Sequence, residues 1–323
     1  MFDWLRVAAV LSRARDLRLR EDARCTVERN VRAANGWLLD RYGPKRPSGG
    51  SLILLHGWTL RGKDHTRLQV FAQSLAAAGV ECIVPHVPGL AALTFEADDV
   101  RGVRAILDAC PTSPGILGFS MGGGYGLLAA SGAQDRPRFV VSVGSYADLA
   151  ESFRRAMVWG RQTPAVPIKQ EAWVYQKLAV AWRLRDVIPL SLPLQQELRG
   201  LLEAFCEGDN VEDSWSFCHR VLGDTDWETV DESRQDARAM AALSVVGHPP
   251  RLACPAIILH GENDPSMPSA EAQRLADAVR HGSPDIRVDV MVTELLEHIR
   301  PSVAFHPGEV LRLLRLLAPL VRA

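Results

Sequence analysis

Continuous apolar runs alternate with amphipathic stretches along most of the 323 residues of this chain. The apolar runs that predict buried strands are 51–55, 80–87, 116–117, 139–143, 256–259 and 286–292. The stretches with helical spacing of apolar positions are 64–78, 95–109, 121–133, 269–280 and 307–319. Because strands that are apolar on both faces must be covered on both faces, this alternation predicts an α/β fold: a mostly parallel sheet flanked by helices.

The alternation begins only after the first 50 residues, and it has one long interruption. Residues 1–24 predict a helix, and 25–42 predict two strands separated by a turn at Ala34-Asn35-Gly36. Residues 150–245 have helical character and hold Trp159, Trp173, Trp182, Trp215 and Trp227. We therefore expect an N-terminal helical extension (1–24), an α/β core (25–149 and 246–323) and a helical cap (150–245) inserted after the sixth strand.

The cap sequence favours ordinary structural roles for its side chains. Tryptophans in a helical insertion are more often core than substrate contacts, although such caps usually roof a pocket. Residues 203–240 hold eleven Asp or Glu against three Arg, which is typical of a solvated outer face.

Composition narrows the partners that we expect. The chain has 37 basic and 38 acidic residues, so no overall field favours nucleic acid. No apolar run is long enough to span a membrane, and the short run 7–11 after Asp3 is not a secretory signal, so we expect a cytoplasmic location. The six cysteines form no C-x-x-C pair and are interpreted as reduced core thiols, which form neither a disulfide frame nor a metal site.

The N-terminal segment combines arginines with apolar residues. A basic amphipathic helix of this kind is typical of segments that lie on a membrane surface. Acidic residues interrupt the positive charge, so we favour a helix that docks on its own domain and keep surface association through residues 1–24 as the alternative.

The segment Gly118-Phe119-Ser120-Met121-Gly122 matches the nucleophile elbow G-x-S-x-G. It stands between a predicted strand and a predicted helix, where a sharp turn holds a serine above the edge of the sheet. The small residues two before and two after Ser120 let the strand and the helix approach each other. This context predicts that Ser120 is a nucleophile.

A nucleophilic serine needs a base, and the base needs an acid that orients it. Asp264 follows the strand 256–259 and His298 follows the strand 286–292, so the order Ser120, Asp264, His298 is the one expected of this fold. We predict Asp264 as the orienting acid and His298 as the general base.

Rival residues exist for both of these roles. Glu262 and Asp148 are alternative acids, and His306 is an alternative base, although His306-Pro307 is more typical of a helix entry. His56 and His260 each precede a glycine at a strand end, where we favour a structural imidazole.

The tetrahedral intermediate of acyl transfer also needs hydrogen-bond donors for its oxyanion. One candidate is the backbone N–H of Met121, which directly follows the nucleophile at the start of a helix. The other is the backbone N–H of Trp58, in the His56-Gly57-Trp58 loop after the first buried strand.

Together, H-G-W, G-F-S-M-G, H-G-E-N-D-P-S-M-P and E-H-I-R-P resemble the α/β-hydrolase family, over residues 25 to 319 and most closely its esterases and cofactor-free haloperoxidases. The resemblance implies that Ser120 is the nucleophile, Asp264 the acid and His298 the base, with Trp58 and Met121 at the oxyanion hole and without cofactor or metal. The chain departs from the family pattern at His86-Val87-Pro88-Gly89-Leu90, and Glu297 precedes the histidine where a glycine is common. Glu297 either tunes the histidine or faces solvent.

The resulting hypothesis is a serine hydrolase that cleaves small to medium, largely apolar carboxylic esters. That substrate class rests on the likeness of fold alone. The same triad also serves thioesterases, carbon–carbon bond hydrolases, peptidases and acyltransferases, and a ligand-binding pseudo-hydrolase is the alternative outside enzymes. The sequence predicts no particular oligomeric state.

Overall fold

The structure is a computed structural model that describes residues 3–14, 22–47, 50–133, 137–162, 171–186, 188, 190–205, 211–218, 220, 234–302 and 306–322. Within these residues, one sheet has eight strands: β1 (Cys25–Arg32), β2 (Leu38–Pro44), β3 (Ser51–Leu55), β4 (Glu81–Pro85), β5 (Gly115–Phe119), β6 (Val140–Val143), β7 (Ala256–Gly261) and β8 (Val288–Thr293). Their order across the sheet is β1-β2-β4-β3-β5-β6-β7-β8.

The pairing of the strands follows their apolar pattern. β1 pairs with β2 and β2 with β4 in antiparallel fashion, whereas every pairing from β4 through β3, β5, β6 and β7 to β8 is parallel. The central strands β3, β6 and β7 are buried along their whole length, as expected of strands covered on both faces. The mostly parallel sheet predicted from the sequence is therefore confirmed.

Helices cover both faces of this sheet. Those outside the long insertion are α1 (Asp3–Ala14), α2 (Thr66–Ala77), α3 (Pro88–Ala92), α4 (Ala97–Ala109), α5 (Met121–Ala130), α11 (Ala270–Gly282) and α12 (Pro307–Leu316). α1, α2 and α12 bury Val7, Leu75 and Leu313 in the hydrophobic core of one face. α4, α5 and α11 contribute to a second core on the opposite face.

The insertion between β6 and β7 is helical, as predicted. Its described helices are α6 (Leu149–Gln162), α7 (Glu171–Arg183), α8 (Leu192–Phe205), α9 (Val211–Phe217) and α10 (Arg234–Leu243). Buried Trp173, Leu178 and Leu198 join these helices to the core that also contains α4, α5 and α11. Trp227 and much of the acidic stretch 203–240 lie outside the described residues.

The structure describes part of the predicted N-terminal helix. α1 ends at Ala14, residues 1–2 and 15–21 lie outside the described part, and 22–24 form a turn that leads into β1. α1 docks on its own domain through Val7 and Val10, which are both 2% exposed. Among the described residues, no helix combines the length and the apolar run that crossing a bilayer requires.

Two other features differ from the prediction or go beyond it. α3 begins at Pro88, where the pair Pro88-Gly89 is typical of a turn; proline is also tolerated at the first position of a helix. A short hairpin, β9 (Leu296–Glu297) with β10 (Arg300–Pro301), follows β8.

Five cysteines are free and buried, and Cys206 lies outside the described residues.

Candidate active site

The candidate residues come together at one edge of the sheet. Parallel strands end at the same edge, and Trp58 follows β3, Ser120 follows β5, Asp264 follows β7 and His298 follows β8. A cavity of about 510 Å³ opens at this edge. Trp58, Ser120, Met121 and His298 line it, while the Asp264 side chain is fully buried behind His298.

Ser120 has a strained backbone at the turn between β5 and α5. Its φ is 51° and its ψ is −123°, a conformation that residues with a side chain rarely adopt. The Ser120 N–H donates to the carbonyl of Val143 on the neighbouring strand at 2.7 Å. Such strain, of about 1–3 kcal/mol, persists where surrounding structure enforces it and concentrates at functional sites.

The two glycines of the G-x-S-x-G segment permit this turn by close backbone approach. A Cβ added to Gly118 would lie 2.2 Å from the carbonyl oxygen of Gly122. A Cβ added to Gly122 would lie 2.4 Å from the carbonyl oxygen of His56, in the loop after β3. Strand, helix and loop therefore meet so closely at the serine that alanine does not fit at either position.

His298 lies in the turn of the β9–β10 hairpin and has a φ of 51°. Its Nδ1 lies 2.8 Å from Oδ2 of Asp264. Gly144, after β6, packs behind the ring, and a Cβ there would lie 3.2 Å from His298 Nδ1. Because a carboxylate accepts only, Nδ1 carries the proton of this hydrogen bond, which leaves Nε2 as a proton acceptor.

Both oxygens of Asp264 are occupied. Oδ1 accepts the N–H groups of Ser266 and Met267, each at 2.8 Å. Oδ2 faces His298 and also lies 3.4 Å from Nε2 of His260. Burial by itself raises the pKa of Asp264, but the imidazoles of His298 and His260 outweigh it and hold this pKa well below the ordinary value. Asp264 is therefore an ionised carboxylate fixed against His298.

The rival acids and the rival base have other surroundings. Glu262 is exposed, and its N–H donates to the carbonyl of Thr293. Asp148 accepts the Glu151 N–H at 3.0 Å in the first turn of α6, as a capping carboxylate does. His306 is exposed at the start of α12. None of the three forms a hydrogen bond or ion pair with His298 among the described residues.

His56 is a structural imidazole, as the sequence favoured. Its Nδ1 lies 2.7 Å from the carbonyl oxygen of Gly57, and its Nε2 accepts the Val87 N–H at 3.0 Å. Burial lowers the pKa of His56 to about 3, so the ring is neutral and ties the loop after β3 to the loop after β4.

His260 also has a supporting position, which the sequence indicated only in part. Its buried Nε2 lies 2.9 Å from the carbonyl oxygen of Met267 in addition to its contact with Asp264. The imidazole thus helps to fold the loop that presents the Asp264 carboxylate. The spacing of four residues between His260 and Asp264 was the available signal for this contact.

The expected oxyanion donors lie on either side of the serine. Within the part of the chain that the structure describes, the N–H groups of Trp58 and Met121 donate no hydrogen bond. The Trp58 ring stacks on Phe95 with 5.2 Å between ring centroids and meets the edge of Phe153 on α6 at 6.2 Å. These contacts fix the loop that carries the Trp58 N–H.

Two further observations bear on the chemistry of the site. Glu297 is exposed, which favours the solvent-facing one of the two roles considered for it. Over the described residues, no three His, Cys, Asp or Glu side chains are grouped closely enough to hold a metal ion.

The profile of the alpha/beta hydrolase family matches residues 52–313, a span that contains every candidate residue. No curated protein sequence is similar enough to be matched to the chain.

Solved structures of esterases share the fold at low sequence identity. The Pyrococcus furiosus esterase Pf2001 is 15% identical, with a TM-score of 0.51 over 95% of this chain and 93% of its own. An esterase of the bacterial hormone-sensitive lipase family is 14% identical, with a TM-score of 0.51 over 98% and 97%. The esterase EstE5 is 14% identical, with a TM-score of 0.51 over 99% and 90%.

Proposed function

The chain belongs to the alpha/beta hydrolase family, and from this membership we propose that it is a serine hydrolase that cleaves carboxylic esters through Ser120, His298 and Asp264. The observation that carries the proposal is the 2.8 Å contact between His298 Nδ1 and Asp264 Oδ2, at a cavity that Ser120 also lines. Its esterase neighbours in structure are consistent with this chemistry.

The reaction starts with proton transfer. His298 Nε2 takes the proton of the Ser120 hydroxyl while the oxygen attacks the ester carbonyl. The imidazolium that forms is stabilised by Asp264, which remains ionised because its pKa is depressed. His298 then returns the proton to the leaving alcohol, and a water molecule activated by the same histidine frees the acyl group from Ser120.

The negative charge of the tetrahedral intermediate falls on the former carbonyl oxygen. The backbone N–H groups of Trp58 and Met121 are the donors that we assign to it. Both are held by rigid structure, Trp58 through its aromatic contacts and Met121 as the first residue of α5. Donors fixed in advance need no reorganisation during the reaction, which is the source of their effect.

The lining of the pocket supports the proposal that the substrates are small to medium and largely apolar. Apolar side chains from the inserted helices line it beside the serine: Phe153 of α6, Ala179 and Val180 of α7, and Phe205 of α8. We propose that residues 150–245 act as a cap over the site, with 25–149 and 246–323 as the core and 1–24 as an extension. The cytoplasmic location expected from the sequence stays a prediction.

The test combines turnover with covalent labelling. We expect wild-type protein to hydrolyse p-nitrophenyl butyrate and to react with a fluorophosphonate probe. Ser120→Ala should abolish both, and His298→Ala should reduce both by several orders of magnitude. Ser12→Ala, at an exposed position on α1, is the matched serine control and should behave as wild type.

Labelling that persists in Ser120→Ala would refute the assignment of the nucleophile. A wild-type protein that neither reacts with the probe nor hydrolyses esters of any chain length would refute the esterase proposal. A parallel panel of thioesters and amides separates ester hydrolysis from the other reactions that the same three residues support.

A further inference from the structure

The cavity at Ser120 is lined from both faces of the sheet. One set of its lining residues, including Trp58, Phe153 and Val180, belongs to or packs against the core shared with the inserted helices. A second set belongs to or packs against the core on the opposite face, beneath α1, α2 and α12. We call this second part the far arm; its residues include Leu11, Phe71, Phe119, Leu313, Leu317 and Leu320.

The far arm begins beside the candidate catalytic residues. Phe119 directly precedes Ser120, and Ile299 directly follows His298; both line the cavity and pack against the core of the far face. The ring of Phe119 meets Phe71 of α2 edge to face, with 5.6 Å between centroids. The far arm therefore shares one cavity with Ser120 and His298.

The far arm is mainly apolar, and the polar side chains that line the cavity near it are those of His65, Thr66 and Arg67 at the start of α2. Every lining side chain that the structure places on α1, on α12 or just after α12 is a leucine. Leucine offers no hydrogen bond to water or to a polar substituent, so this surface favours hydrocarbon. The polar groups needed for the ester itself lie at the other end, at Ser120 and His298.

We propose that the far arm binds a linear hydrocarbon chain of medium length attached to the ester, with the carbonyl at Ser120 and the chain extending between α1, α2 and α12. This inference rests on the proposed function, because it places the ester at Ser120. The N-terminal helix thereby forms one wall of the substrate site through Leu11. The chain belongs either to the acyl group or to the alcohol, and two ester series separate these sources.

The first experiment measures kcat/KM for p-nitrophenyl esters from acetate to dodecanoate and for alkyl acetates from ethyl to dodecyl. In one of the two series, wild-type kcat/KM should rise roughly fourfold for each methylene that enters the arm. Leu11→Trp fills the arm. In that series it should lower the kcat/KM of the twelve-carbon ester, relative to the kcat/KM of the shortest ester, by at least about tenfold. Leu5→Trp, on the same helix but 43% exposed, should leave the ratio as in wild type.

A second variant guards against misfolding of the first. Phe71→Ala widens the arm and should move the optimum of the same series to longer chains. The inference is overturned if both Leu11→Trp and Phe71→Ala leave the chain-length profile unchanged. It is also overturned if each changes all esters by the same factor.

A binding measurement separates this inference from the proposed function. In Ser120→Ala, which cannot turn over an ester by the proposed route, calorimetry should detect binding of 1-dodecanol or dodecanoate. Leu11→Trp in that background should weaken it at least about tenfold, and Leu5→Trp should not. Binding with this pattern but without ester turnover by wild type would refute the esterase proposal and retain the hydrocarbon site. Ester turnover by wild type without any such binding would refute the hydrocarbon site and retain the esterase proposal.

Discussion

Oδ2 of Asp264 lies 2.8 Å from Nδ1 of His298 and 3.4 Å from Nε2 of His260, so one buried carboxylate oxygen joins two imidazoles. The other oxygen is held by two backbone N–H groups. This arrangement makes the Asp264 side chain a fixed, ionised partner for His298. Within the described part of the chain, neither Glu262 nor Asp148 is held by two imidazoles in this way.

The first prediction concerns the identity of this acid. Asp264→Asn should lower kcat for p-nitrophenyl butyrate by about 10⁴-fold, because an amide that donates to Nδ1 stabilises the wrong tautomer of His298. Glu262→Gln, two residues away on the exposed side of the same loop, should retain nearly full activity. Steady-state kinetics of the two variants make the comparison, and a reversed ranking would assign the role to Glu262.

The second prediction uses the backbone packing at the elbow. Gly118→Ala should lower the free energy of unfolding by roughly 2 kcal/mol or more, because its Cβ would lie 2.2 Å from a backbone oxygen that cannot move independently. Gly200→Ala, within α8 and with no described atom from outside that stretch of helix within 4 Å of its Cβ, should raise that free energy by about 0.5–1 kcal/mol. Urea denaturation measures both. Equal effects of the two substitutions would contradict the close approach at Gly118.

The sheet and its order of motifs were predictable because they depend on local patterns. A strand buried on both faces must be apolar throughout, and β3, β6 and β7 have that property in the sequence itself. Since parallel strands end at one edge, residues that follow different strands meet there, and Ser120 after β5 and His298 after β8 line one cavity.

Other features depend on contacts between distant segments and left no local signal. Leu11 lines the cavity because α1 docks on α2 and α12, and nothing in its helical pattern specifies that neighbour. The positive φ of His298 and the close packing of Gly144 behind its ring depend on how β6 and the β9–β10 hairpin pack. α3 was missed because Pro88-Gly89 suits a turn as well as a helix start.

The third prediction follows from the buried neutral imidazole of His56. Burial lowers its pKa from 6.5 to about 3, so below pH 6.5 the unfolded chain binds a proton at this residue that the folded protein does not. The contribution of His56 to the free energy of unfolding is therefore fully present above pH 6.5. It is lost as the pH falls from 6.5 towards 3, at about 1.4 kcal/mol per pH unit. Urea denaturation at a series of pH values should give His56→Gln a shallower slope than wild type, by about one proton. Parallel slopes would mean that His56 is not held neutral.

The fourth prediction compares two buried lysines with opposite surroundings. Lys63 Nζ lies 3.0 Å from Asp40 Oδ1 and 2.9 Å from Asp64 Oδ1, and the Asp40 side chain is fully buried. Lys177 Nζ, on α7, has no hydrogen-bond partner among the described residues and lies 5.3 Å from the centre of the Trp173 ring. Burial lowers the pKa of Lys177 to about 8.

The same substitution should therefore have opposite effects at these two positions. Lys63→Met removes one of the two cations paired with the buried Asp40 carboxylate, which keeps Arg29 at its other oxygen, and should lower the free energy of unfolding by about 1–3 kcal/mol. Lys177→Met removes an unpaired buried ammonium group and should raise it by roughly 1–3 kcal/mol at pH 7.

The pH dependence tests the cause of the second effect. Between pH 8 and the ordinary lysine pKa of 10.5, the unfolded chain holds a proton on Lys177 that the folded protein has released. The stability of wild type should consequently rise with pH in this window, and Lys177→Met should remove that rise. If Lys177→Met destabilises the protein at pH 7 as Lys63→Met does, the ammonium group of Lys177 has a partner that stabilises its charge, and the interior of the inserted helices is more polar there than its buried neighbours indicate.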